Sequence, residues 1–478
     1  MAEYRFVIDQ STSGTKLILF DTESDIKMIQ RMDKPHTQLY PQKGWVEHDP
    51  LEIVGNVKFL IEEMLDARKL KPSQITTLSI TNQRESVVIW DKVTGEPYTN
   101  ILVWQCNRGI YICQQLNEAG FGPVVKEKTG LNIDPYFSGS KLKWFFDQTQ
   151  LSQDQLDNLA IGTIDSWLLW HLSEEKNHVT EMSNASRTLL FNIHTLEWDQ
   201  ELCRIFNVPM GALPEVKNSV DDFGTYQGIP IASIVADSQS ALIGHACETV
   251  GEIKATLGTG SSLLMNVDSD EISENKSILT TIVHKEKGNI VYALEGAIRS
   301  YGDILNWMQD ELNLFDNVER ASEEAFQLAG NDSVYFVPAL EGLGAPFWSP
   351  DATGSFKGIT RNTNRTHLIR AGFESMAYQT RSVLDTFELD GFKIDELKVD
   401  GGIAKNKLFT QFLADVTNKK ILVGDMEEAS AFGTVCVILK PTKDKMGQYR
   451  EYVPTENYDF QFAQWLSYVN KTLVNGYG

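Results

Sequence analysis

Asp237 is the residue of this 478-residue chain whose setting first suggests chemistry. An apolar run at 231–236 stops at Asp237, and Ser238, Gln239 and Ser240 follow before helix-compatible residues resume. A carboxylate at a strand-to-helix junction can cap the helix, because its oxygens accept the free backbone N–H groups of the first turn. It can equally act as a base toward a hydroxyl that arrives at the strand end. Residue types alone leave both interpretations open.

Three glycine-containing turns have the composition of phosphate-binding loops. They are DQSTSGTK at 9–16, LGTGSS at 257–262 and VDGGIAKN at 399–406, and each follows an apolar, strand-like run. Backbone N–H groups in such turns form anion-binding concavities, and glycine lets a phosphate approach the backbone closely. Each turn alone is also typical of ordinary structure, but three at corresponding ends of α/β units together indicate a phosphate ligand.

The first of these turns also carries a cation and a carboxylate. It is not a Walker A loop, because no GxxxxGK[ST] is present. Lys16 can reach a terminal phosphate. Asp9, at the end of the preceding strand, could hold Mg²⁺ through water, since that ion favours carboxylates together with phosphate oxygens. The alternative interpretation is a polar hairpin turn.

The spacing excludes a dinucleotide-binding unit at the start of the chain. A dehydrogenase of that type has GxGxxG after its first strand, opening a helix, with an acidic residue about 20 residues later. The segment DQSTSG is instead followed by a second strand-like run, KLILF. We therefore predict a hairpin over 5–20 with Gly14 in its turn.

The composition indicates a globular protein that acts on small molecules. The formal net charge is −22, and hydrophobic residues make up 42% of the chain. This charge disfavours nucleic acids and anionic membranes as partners, because phosphate groups attract lysine and arginine patches. The five cysteines form no CxxC pair, which favours free thiols in a reducing compartment. The chain begins with a strand-like run rather than a signal peptide, and no apolar stretch reaches membrane-span length, so we expect a cytoplasmic protein.

The length and the order of elements predict two domains. Strands and helices alternate through both halves, for example a helix over 50–70 and a strand over 75–83, which predicts an α/β fold. Each half opens with a strand–turn–strand unit. We therefore predict two related domains, residues 1–240 and 241–478, with the ligand cleft between them.

Taken together, these segments resemble the FGGY family of sugar and polyol kinases, and within it the glycerol kinase branch. The resemblance runs in the family's order from about residue 4 to about residue 440. The matching strings are DQSTSGTK (9–16), GWVEHDP (44–50), ITNQRES (80–86), VWQCNRG (103–109), GTIDSWLLW (162–170), NASRTLLFNIHTLEWD (184–199), ADSQSAL (236–242), LGTGSSLLMN (257–266), GLGAPFW (342–348), FESMAYQTRSVL (373–384) and VDGG (399–402).

The resemblance implies an actin-like, two-lobed fold in which two RNase-H-like α/β domains, of the type also found in hexokinase, flank an ATP cleft. It implies lobe closure during the reaction. The implied activity is transfer of the γ-phosphate of ATP, with Mg²⁺, to a primary hydroxyl of glycerol, giving sn-glycerol 3-phosphate. Family members are often dimers or tetramers, so the resemblance implies a homo-oligomer. No stretch of the sequence identifies an interface.

The resemblance also assigns roles to individual residues. The residues implied to bind ATP are Thr12, Ser13, Gly14, Lys16, Thr259, Gly302, Asn306, Gly402 and Asn406, with Asp9 on Mg²⁺ through water. The residues implied to hold the substrate are Arg84, Glu85, Trp104, Tyr136, Asp237, Ser238 and Ser262. Asp237 is the implied catalytic base, which accepts the proton of the substrate hydroxyl.

The residue types suit these roles. Arg84 and Glu85 present a donor and an acceptor side by side, as a polyol with neighbouring hydroxyls requires. Trp104 can form an apolar wall for the carbon skeleton, and Tyr136 can supply a hydroxyl. Without the family context, the charged pair could lie on the surface, Trp104 in the core, and Asp237 at a helix N-cap.

Two positions depart from the glycerol kinase pattern. Ser238 stands where those enzymes have glutamine after the aspartate, and Ser262 stands where a phenylalanine packs on glycerol. Both changes remove bulk and leave hydroxyls that require partners on the substrate. They support an alternative substrate, a larger polyol or ketose with four or five carbons.

A third hypothesis, from another class, is a non-catalytic, actin-like sensor of sugars or nucleotides. It is the weakest of the three, because the motifs for base, phosphate and substrate are all retained. The short segment 215–235 lacks the Gly/Arg-rich loop that binds fructose 1,6-bisphosphate in some relatives, and the histidine that is phosphorylated in others. We expect neither form of regulation.

The motif GWVEHDP at 44–50 contains acids and a histidine, as metal sites do. It has a single histidine, however, and the sequence identifies no partner ligands for it. We interpret the motif as a structural turn that closes onto the following helix.

Overall fold

The structure, a computed structural model, contains two large β-sheets flanked by helices. It describes residues 3–268, 275, 277–286, 288–426, 428–443 and 446–475. The first large sheet has six strands drawn from residues 4–236, and the second has seven strands drawn from residues 253–452. We refer to the elements between residues 4 and 236 as the N-terminal lobe, and to those between 253 and 475 as the C-terminal lobe.

The elements follow one another along the chain without long irregular stretches. The strands are β1 Tyr4–Gln10, β2 Gly14–Asp21, β3 Lys27–Pro35, β4 Glu47–His48, β5 Ile75–Asn82, β6 Val87–Asp91, β7 Ile101–Leu102, β8 Leu159–Thr163, β9 Val179–Glu181, β10 Phe191–Asn192, β11 Glu197–Trp198, β12 Glu215–Lys217, β13 Thr225–Tyr226, β14 Ile229–Ala236, β15 Ile253–Leu257, β16 Ser261–Val267, β17 Leu279–Glu286, β18 Asn289–Ile298, β19 Tyr335–Val337, β20 Ser355–Lys357, β21 Glu396–Asp400, β22 Lys420–Gly424 and β23 Tyr449–Tyr452. The α-helices are α1 Pro50–Arg68, α2 Ile110–Glu118, α3 Gly122–Thr129, α4 Ser138–Gln148, α5 Gln153–Asp157, α6 Ile164–Leu172, α7 Met182–Ala185, α8 Gln200–Ile205, α9 Asp237–Gly244, α10 Asp303–Asp310, α11 Val318–Phe326, α12 Arg365–Leu389, α13 Lys407–Thr417, α14 Ala429–Leu439 and α15 Asp459–Asn475. Within the described residues, no helix combines the length and the apolar composition that a membrane span requires.

Both large sheets have the same core order of strands. In the N-terminal lobe the order is β3-β2-β1-β5-β14, with β13 added at one edge. In the C-terminal lobe it is β18-β16-β15-β21-β22, with β17 and β23 at the two edges. In each sheet the first three strands are antiparallel, and the last two run parallel to the first strand of the lobe. The predicted pair of RNase-H-like α/β units is confirmed.

Elements predicted from the sequence are confirmed to within a few residues. α1 and β5 match the helix predicted over 50–70 and the strand predicted over 75–83, with slightly earlier ends. α1 begins where the Asp49 carboxylate accepts hydrogen bonds from the N–H groups of Leu51 and Glu52. The motif GWVEHDP therefore closes onto a helix, as predicted.

Each lobe begins with a tight hairpin. Residues 11–13 join β1 to β2, and residues 258–260 join β15 to β16. Gly14 lies just outside its turn, as the first residue of β2, which corrects its predicted position. A Cβ on Gly14 would lie 2.9 Å from the carbonyl oxygen of Lys34 on the neighbouring β3. The packing of β2 against β3 therefore accounts for this glycine, without a ligand.

One helix of the C-terminal lobe covers the sheet of the other lobe. α14 packs on β14, β5 and β1, and its Phe432 and Val435 share a hydrophobic cluster with Val7 and Ile18. It also packs against α9, the helix that follows β14. The predicted domain boundary between residues 240 and 241 falls inside α9.

α9 and α14 touch backbone to backbone. A Cβ on Gly433 would lie 1.8 Å from the carbonyl oxygen of Ser240, and one on Gly244 would lie 2.3 Å from that of Ala429. The Ser240 hydroxyl donates to the carbonyl of Ser430 at 2.5 Å. The packing of these two helices therefore requires glycine at both positions.

Replacing Gly433 with alanine is expected to lower the stability by about 1–3 kcal/mol, because the added methyl group overlaps a carbonyl oxygen. The matched control is Gly55→Ala in the exposed face of α1, where a Cβ meets none of the described atoms within 4 Å. Alanine there should stabilise the helix by about 0.5–1 kcal/mol. Thermal denaturation should give a lower Tm for Gly433→Ala only, and equal Tm values in the two variants would contradict the close helix contact.

Candidate active site

A cavity of about 200 Å³ lies between the two hairpin turns. Side chains that follow the carboxyl ends of β5 and β14 also line it, as is usual for ligand sites in α/β folds. Ten residues named from the sequence line this cavity: Thr12, Ser13, Arg84, Glu85, Trp104, Tyr136, Asp237, Ser238, Thr259 and Ser262. The structure thus brings the phosphate-type turns and the predicted substrate residues to one place.

Thr12, in the first turn, is held from two directions. Trp104 Nε1 donates to Thr12 Oγ1 at 2.9 Å, and Gln38 Nε2 donates to the Thr12 carbonyl at 2.8 Å. Trp104 also packs against Tyr136, with ring centroids 5.3 Å apart and ring planes tilted by 58°. The aromatic wall and the phosphate-type turn are therefore fixed relative to one another.

The orientation of Gln38 depends on His48 in the GWVEHDP motif. His48 Nε2 lies 2.8 Å from Gln38 Oε1. Because the amide NH₂ of Gln38 is used on Thr12, His48 Nε2 must be the donor and therefore carries the proton. Burial, and to a lesser extent the adjacent His36, lower the pKa of His48 to about 3, so the ring stays neutral. The motif supports the first turn, which the sequence did not reveal.

Lys16 and Asp9 face each other across the first hairpin. Lys16 Nζ lies 3.2 Å from Asp9 Oδ2 and 2.8 Å from Glu428 Oε2, a carboxylate of the C-terminal lobe. Burial opposes a charge on Lys16, but the two carboxylates outweigh it and raise the pKa of the ammonium group. Lys16 is therefore a permanent cation beside the first turn.

Arg84 and Glu85 lie in the short connection between β5 and β6. Glu85 has a φ of +63°, in the left-handed region that residues with a side chain seldom adopt. Ser138 Oγ donates to the Glu85 carbonyl at 2.8 Å, and Arg187 Nε donates to the Glu85 carboxylate at 2.7 Å. Partners from two other segments thus hold a strained backbone in place, which is typical of functional sites. The two side chains are buried, so the surface interpretation of this pair is wrong.

A second carboxylate, Glu295 on β18, completes a cluster of four buried charges with Arg84, Glu85 and Arg187. Glu295 Oε1 accepts a hydrogen bond from Arg84 Nη2 at 2.7 Å, and Glu295 Oε2 lies 2.6 Å from Arg187 Nη1. Burial alone would raise the pKa of Glu295, but the two guanidinium groups hold it at about 2. The cluster crosses from one lobe to the other.

Asp237 is the first residue of α9, and Ala236 occupies the N-cap position. Its Oδ1 accepts the N–H of Ser238 at 2.6 Å and lies 3.5 Å from Arg84 Nε. The side chain is 36% exposed, toward the cavity. Enclosure raises the pKa of this carboxyl, and Arg84 and the Ser238 N–H oppose the rise. Asp237 is therefore not the N-cap residue of α9, so that interpretation is wrong. Its carboxylate remains available to accept a proton.

The two serines that depart from the family pattern have different surroundings. Ser238 lines the cavity, whereas the next residue, Gln239, donates through Nε2 to Thr281 Oγ1 at 3.2 Å in the other lobe. Gln239 therefore does not take the place of the missing glutamine. The Ser262 hydroxyl donates to Glu295 Oε1 at 2.7 Å, which leaves its lone pairs for a ligand hydroxyl.

Four residues predicted to bind the nucleotide lie outside the lining of this cavity: Gly302 and Asn306, predicted near the nucleotide, lie beside the second turn, and Gly402 and Asn406, predicted at its adenosine end, lie after β21. The Gly302 N–H donates to the Gly258 carbonyl at 2.9 Å, and a Cβ on Gly302 would lie 2.5 Å from that oxygen. Gly402, in contrast, has open space where a Cβ would stand. Asn306 lies in α10, one turn after Gly302. Asn406 uses its side-chain oxygen to cap α13.

Sequence reasoning missed Glu295, Arg187 and Gln38. Glu295 offered a usable signal, because it is the single charged residue of the apolar run NIVYALEGAI. A charge inside a buried strand requires a charged partner. Arg187 and Gln38 offered no such signal, since each stands among polar residues and meets its partner only in the fold.

Comparison with protein families places the whole site within one group. Residues 4–244 match the N-terminal domain of the FGGY family of carbohydrate kinases, and residues 253–439 match its C-terminal domain. A glycerol kinase from Pseudomonas fluorescens (strain SBW25) is 44% identical over 434 residues, which is 90% of this chain and 86% of that protein. A glycerol kinase from Shewanella amazonensis is 42% identical over 440 residues, covering 90% and 88%.

Solved structures show the same architecture. A crystal structure of Plasmodium falciparum glycerol kinase with ADP superposes with a TM-score of 0.87 at 33% identity, covering 99% of this chain and 98% of that one. A gluconate kinase from Lactobacillus acidophilus also gives a TM-score of 0.87, at 22% identity and 99% coverage of both chains. At that identity the second comparison supports the fold alone.

Gln38→Glu is expected to weaken the affinity for ATP by about tenfold, the effect of losing one hydrogen bond of about 1–1.5 kcal/mol. A glutamate still accepts from His48 but has no hydrogen to donate to the Thr12 carbonyl, so the first turn loses one of its two supports. The control Gln42→Glu introduces the same charge on a nearby exposed side chain. Isothermal titration with a non-hydrolysable ATP analogue measures both, and equal dissociation constants in the two variants would contradict the role of Gln38.

Proposed function

Because this chain belongs to the FGGY family of carbohydrate kinases, we propose that it phosphorylates glycerol, with ATP as donor and sn-glycerol 3-phosphate as product. The observation that carries the proposal is the convergence of Arg84, Glu85 and Asp237 on a cavity closed on the other side by two phosphate-type turns. Relatives named glycerol kinase, at 42–44% identity over 90% of the chain, support the choice of substrate.

In this proposal Asp237 is the catalytic base. Its carboxylate faces the cavity, and although enclosure raises its pKa, Arg84 and the Ser238 N–H favour the charged form that a base requires. Arg84, 3.5 Å away, stabilises the negative charge and can donate to a substrate hydroxyl, while Glu85 can accept from a neighbouring one. The corner formed by Trp104 and Tyr136 would hold the carbon skeleton.

The residues present fit MgATP. The first turn offers the hydroxyls of Thr12 and Ser13, and Lys16 adds a permanent cation. Bound Mg²⁺ would neutralise charge on the phosphates, and it typically keeps several waters and few protein ligands. Among the described residues there is no cluster of three or more metal-binding side chains, so a single carboxylate such as Asp9 suits Mg²⁺ held through water. The open space at Gly402 would admit the adenosine end of the nucleotide.

The alternative of a larger polyol or ketose rests on Ser238 and Ser262. Both line the cavity, and neither fills it as glutamine and phenylalanine would. The comparisons give this alternative no better support than glycerol, because the relatives at 42–44% identity carry the glycerol kinase name. It is therefore an outcome of the test below.

Location, assembly and domain division complete the proposal. Five unpaired, buried cysteines support a reducing compartment, and we place the protein in the cytoplasm. A homo-oligomer rests on the family resemblance. We propose a division into two domains near residues 240–241, with α14 as one element of the second half that packs on the first.

Purified protein should turn over ATP in the presence of glycerol, with a higher kcat/KM than for any other member of a panel of three- to six-carbon polyols and ketoses. ADP release measures the rate. A higher kcat/KM for a four- or five-carbon substrate would replace glycerol by the alternative. Absence of turnover with every member would contradict the proposed kinase activity.

Asp237→Asn should lower kcat by about 10²–10⁴-fold, the usual effect of removing a general base. The amide is isosteric but cannot accept the proton, so affinity for ADP should change by less than about twofold. Asp66→Asn, on the exposed face of α1, is the matched control and should keep the full kcat. A near-normal kcat in Asp237→Asn would remove this residue from the role of base.

A further inference from the structure

The four buried charges behind the substrate residues alternate in sign around a closed ring. Glu85 Oε1 lies 2.7 Å from Arg187 Nε and 3.7 Å from Arg84 Nε. Glu295 lies 2.7 Å from Arg84 and 2.6 Å from Arg187. No side chain of the ring is more than 3% exposed. Two cations and two anions cancel, which is the condition for charges to remain buried at tolerable cost.

The two lobes contribute unequally to the ring. Arg84, Glu85 and Arg187 come from the N-terminal lobe, and Glu295 alone comes from the C-terminal lobe, on β18. Arg84 and Glu85 line the cavity. Of the residues that the structure describes there, neither Arg187 nor Glu295 is part of the lining. The two members that face the ligand are therefore oriented by two members that do not touch it.

Arg84 has three acidic neighbours, and besides its ring partner Glu85, Glu295 and Asp237 compete for it. Its Nη2 makes a short hydrogen bond to Glu295 at 2.7 Å, whereas its Nε lies 3.5 Å from Asp237, beyond the length of a strong ion pair. Glu295 thus holds the Nη2 end of the guanidinium group, and the contact of Arg84 with Asp237 is limited to 3.5 Å at Nε. Without that anchor, the nearest carboxylate with free acceptor capacity on the cavity side is Asp237.

We propose that Glu295 is a positioning residue for the substrate: from the C-terminal lobe it holds Arg84, so that Arg84 can bind a substrate hydroxyl and Asp237 stays free as the base. The proposal rests on the proposed polyol kinase activity. A positioning role for Glu295 also means that Arg84 and Glu85, the substrate-binding pair, are correctly arranged only when β18 of the C-terminal lobe contacts the N-terminal lobe. Ser262, which donates to the same carboxylate oxygen, supports Glu295 from the neighbouring strand.

The test is steady-state kinetics of Glu295→Gln, which keeps the shape and removes the charge. We expect the KM for glycerol to rise by at least about tenfold and kcat to fall by at least about tenfold, since a buried guanidinium loses its partner. The KM for ATP should stay within about twofold because, in the part of the chain that the structure describes, the ring bonds to the LGTGSS segment at Ser262 of β16 and not at the hairpin residues 11–13 or 258–260. Equal increases in both KM values would overturn the proposal.

The matched control is Glu374→Gln in α12. Glu374 is buried and accepts a hydrogen bond from Arg370 at 2.7 Å, in an ion pair within the C-terminal lobe, and neither residue lines the cavity. Both variants should lower Tm, because each breaks a buried pair, but only Glu295→Gln should change the KM for glycerol. A purely structural role for Glu295 predicts the same behaviour in both variants and would also overturn the proposal.

A double variant, Arg187→Gln with Glu295→Gln, removes one cation and one anion and restores a neutral ring. In the double variant Arg84 still has no charged partner at position 295, so the glycerol KM should stay at least about tenfold above that of the unaltered protein, and this variant serves as the test if Glu295→Gln alone does not fold. A return of the glycerol KM to the unaltered value would show that charge balance, and not the hold on Arg84, sets it, and would overturn the proposal. If the unaltered protein prefers another polyol, that compound replaces glycerol in these assays. If it phosphorylates none, the proposed function is what fails.

Discussion

The site depends on one topological constraint: two sheets with the same strand order must present their first hairpins to each other. Each hairpin turn supplies small residues and backbone N–H groups to the cavity, and the parallel strands β5 and β14 end at the same place. Arg84 and Asp237 can meet only because these two strands are adjacent in register. No single segment contains the site. It exists only when both lobes are assembled.

Electrostatics sets a second requirement, because the substrate-binding residues Arg84 and Glu85 are charged and buried. A lone buried arginine or glutamate would cost several kcal/mol, so the structure groups them into a neutral ring and ties the strained backbone of Glu85 to two neighbouring segments. Similarly, Thr12 is fixed both by Trp104 and by Gln38, whose orientation comes from His48. The residues that meet the ligand are few, and the residues that hold them still are mostly in other segments.

Much of the fold and of the candidate site could be predicted from the sequence. The contacts between distant segments could not, for physical reasons. The hairpins, α1, β5 and the alternation of elements follow from apolar periodicity and turn residues, and ten site residues named from motifs line one cavity. The sequence predicts Gly14 in the turn because glycine is typical there, whereas the real constraint is the close approach of Lys34 on β3, the next strand along the chain and the neighbour of β2 in the sheet. The N-cap interpretation of Asp237 could be excluded only by the backbone. The lone charge of Glu295 in an apolar run indicates that it needs a charged partner, but its pairing with Arg187 is visible only once the two lobes are assembled, because spacing along the chain does not encode that distance.

The position of α14 has a consequence for synthesis of the protein on the ribosome. All strands of the first sheet are complete once Ala236 has been made, but the helix that covers one face of β1, β5 and β14 ends at Leu439. At about 5–20 residues per second, that apolar face stays uncovered for roughly 10–40 s. The N-terminal lobe thus reaches its final packing only near the end of translation, and until then a growing chain exposes the residues around Val7 and Ile18 to chaperones and to other nascent chains.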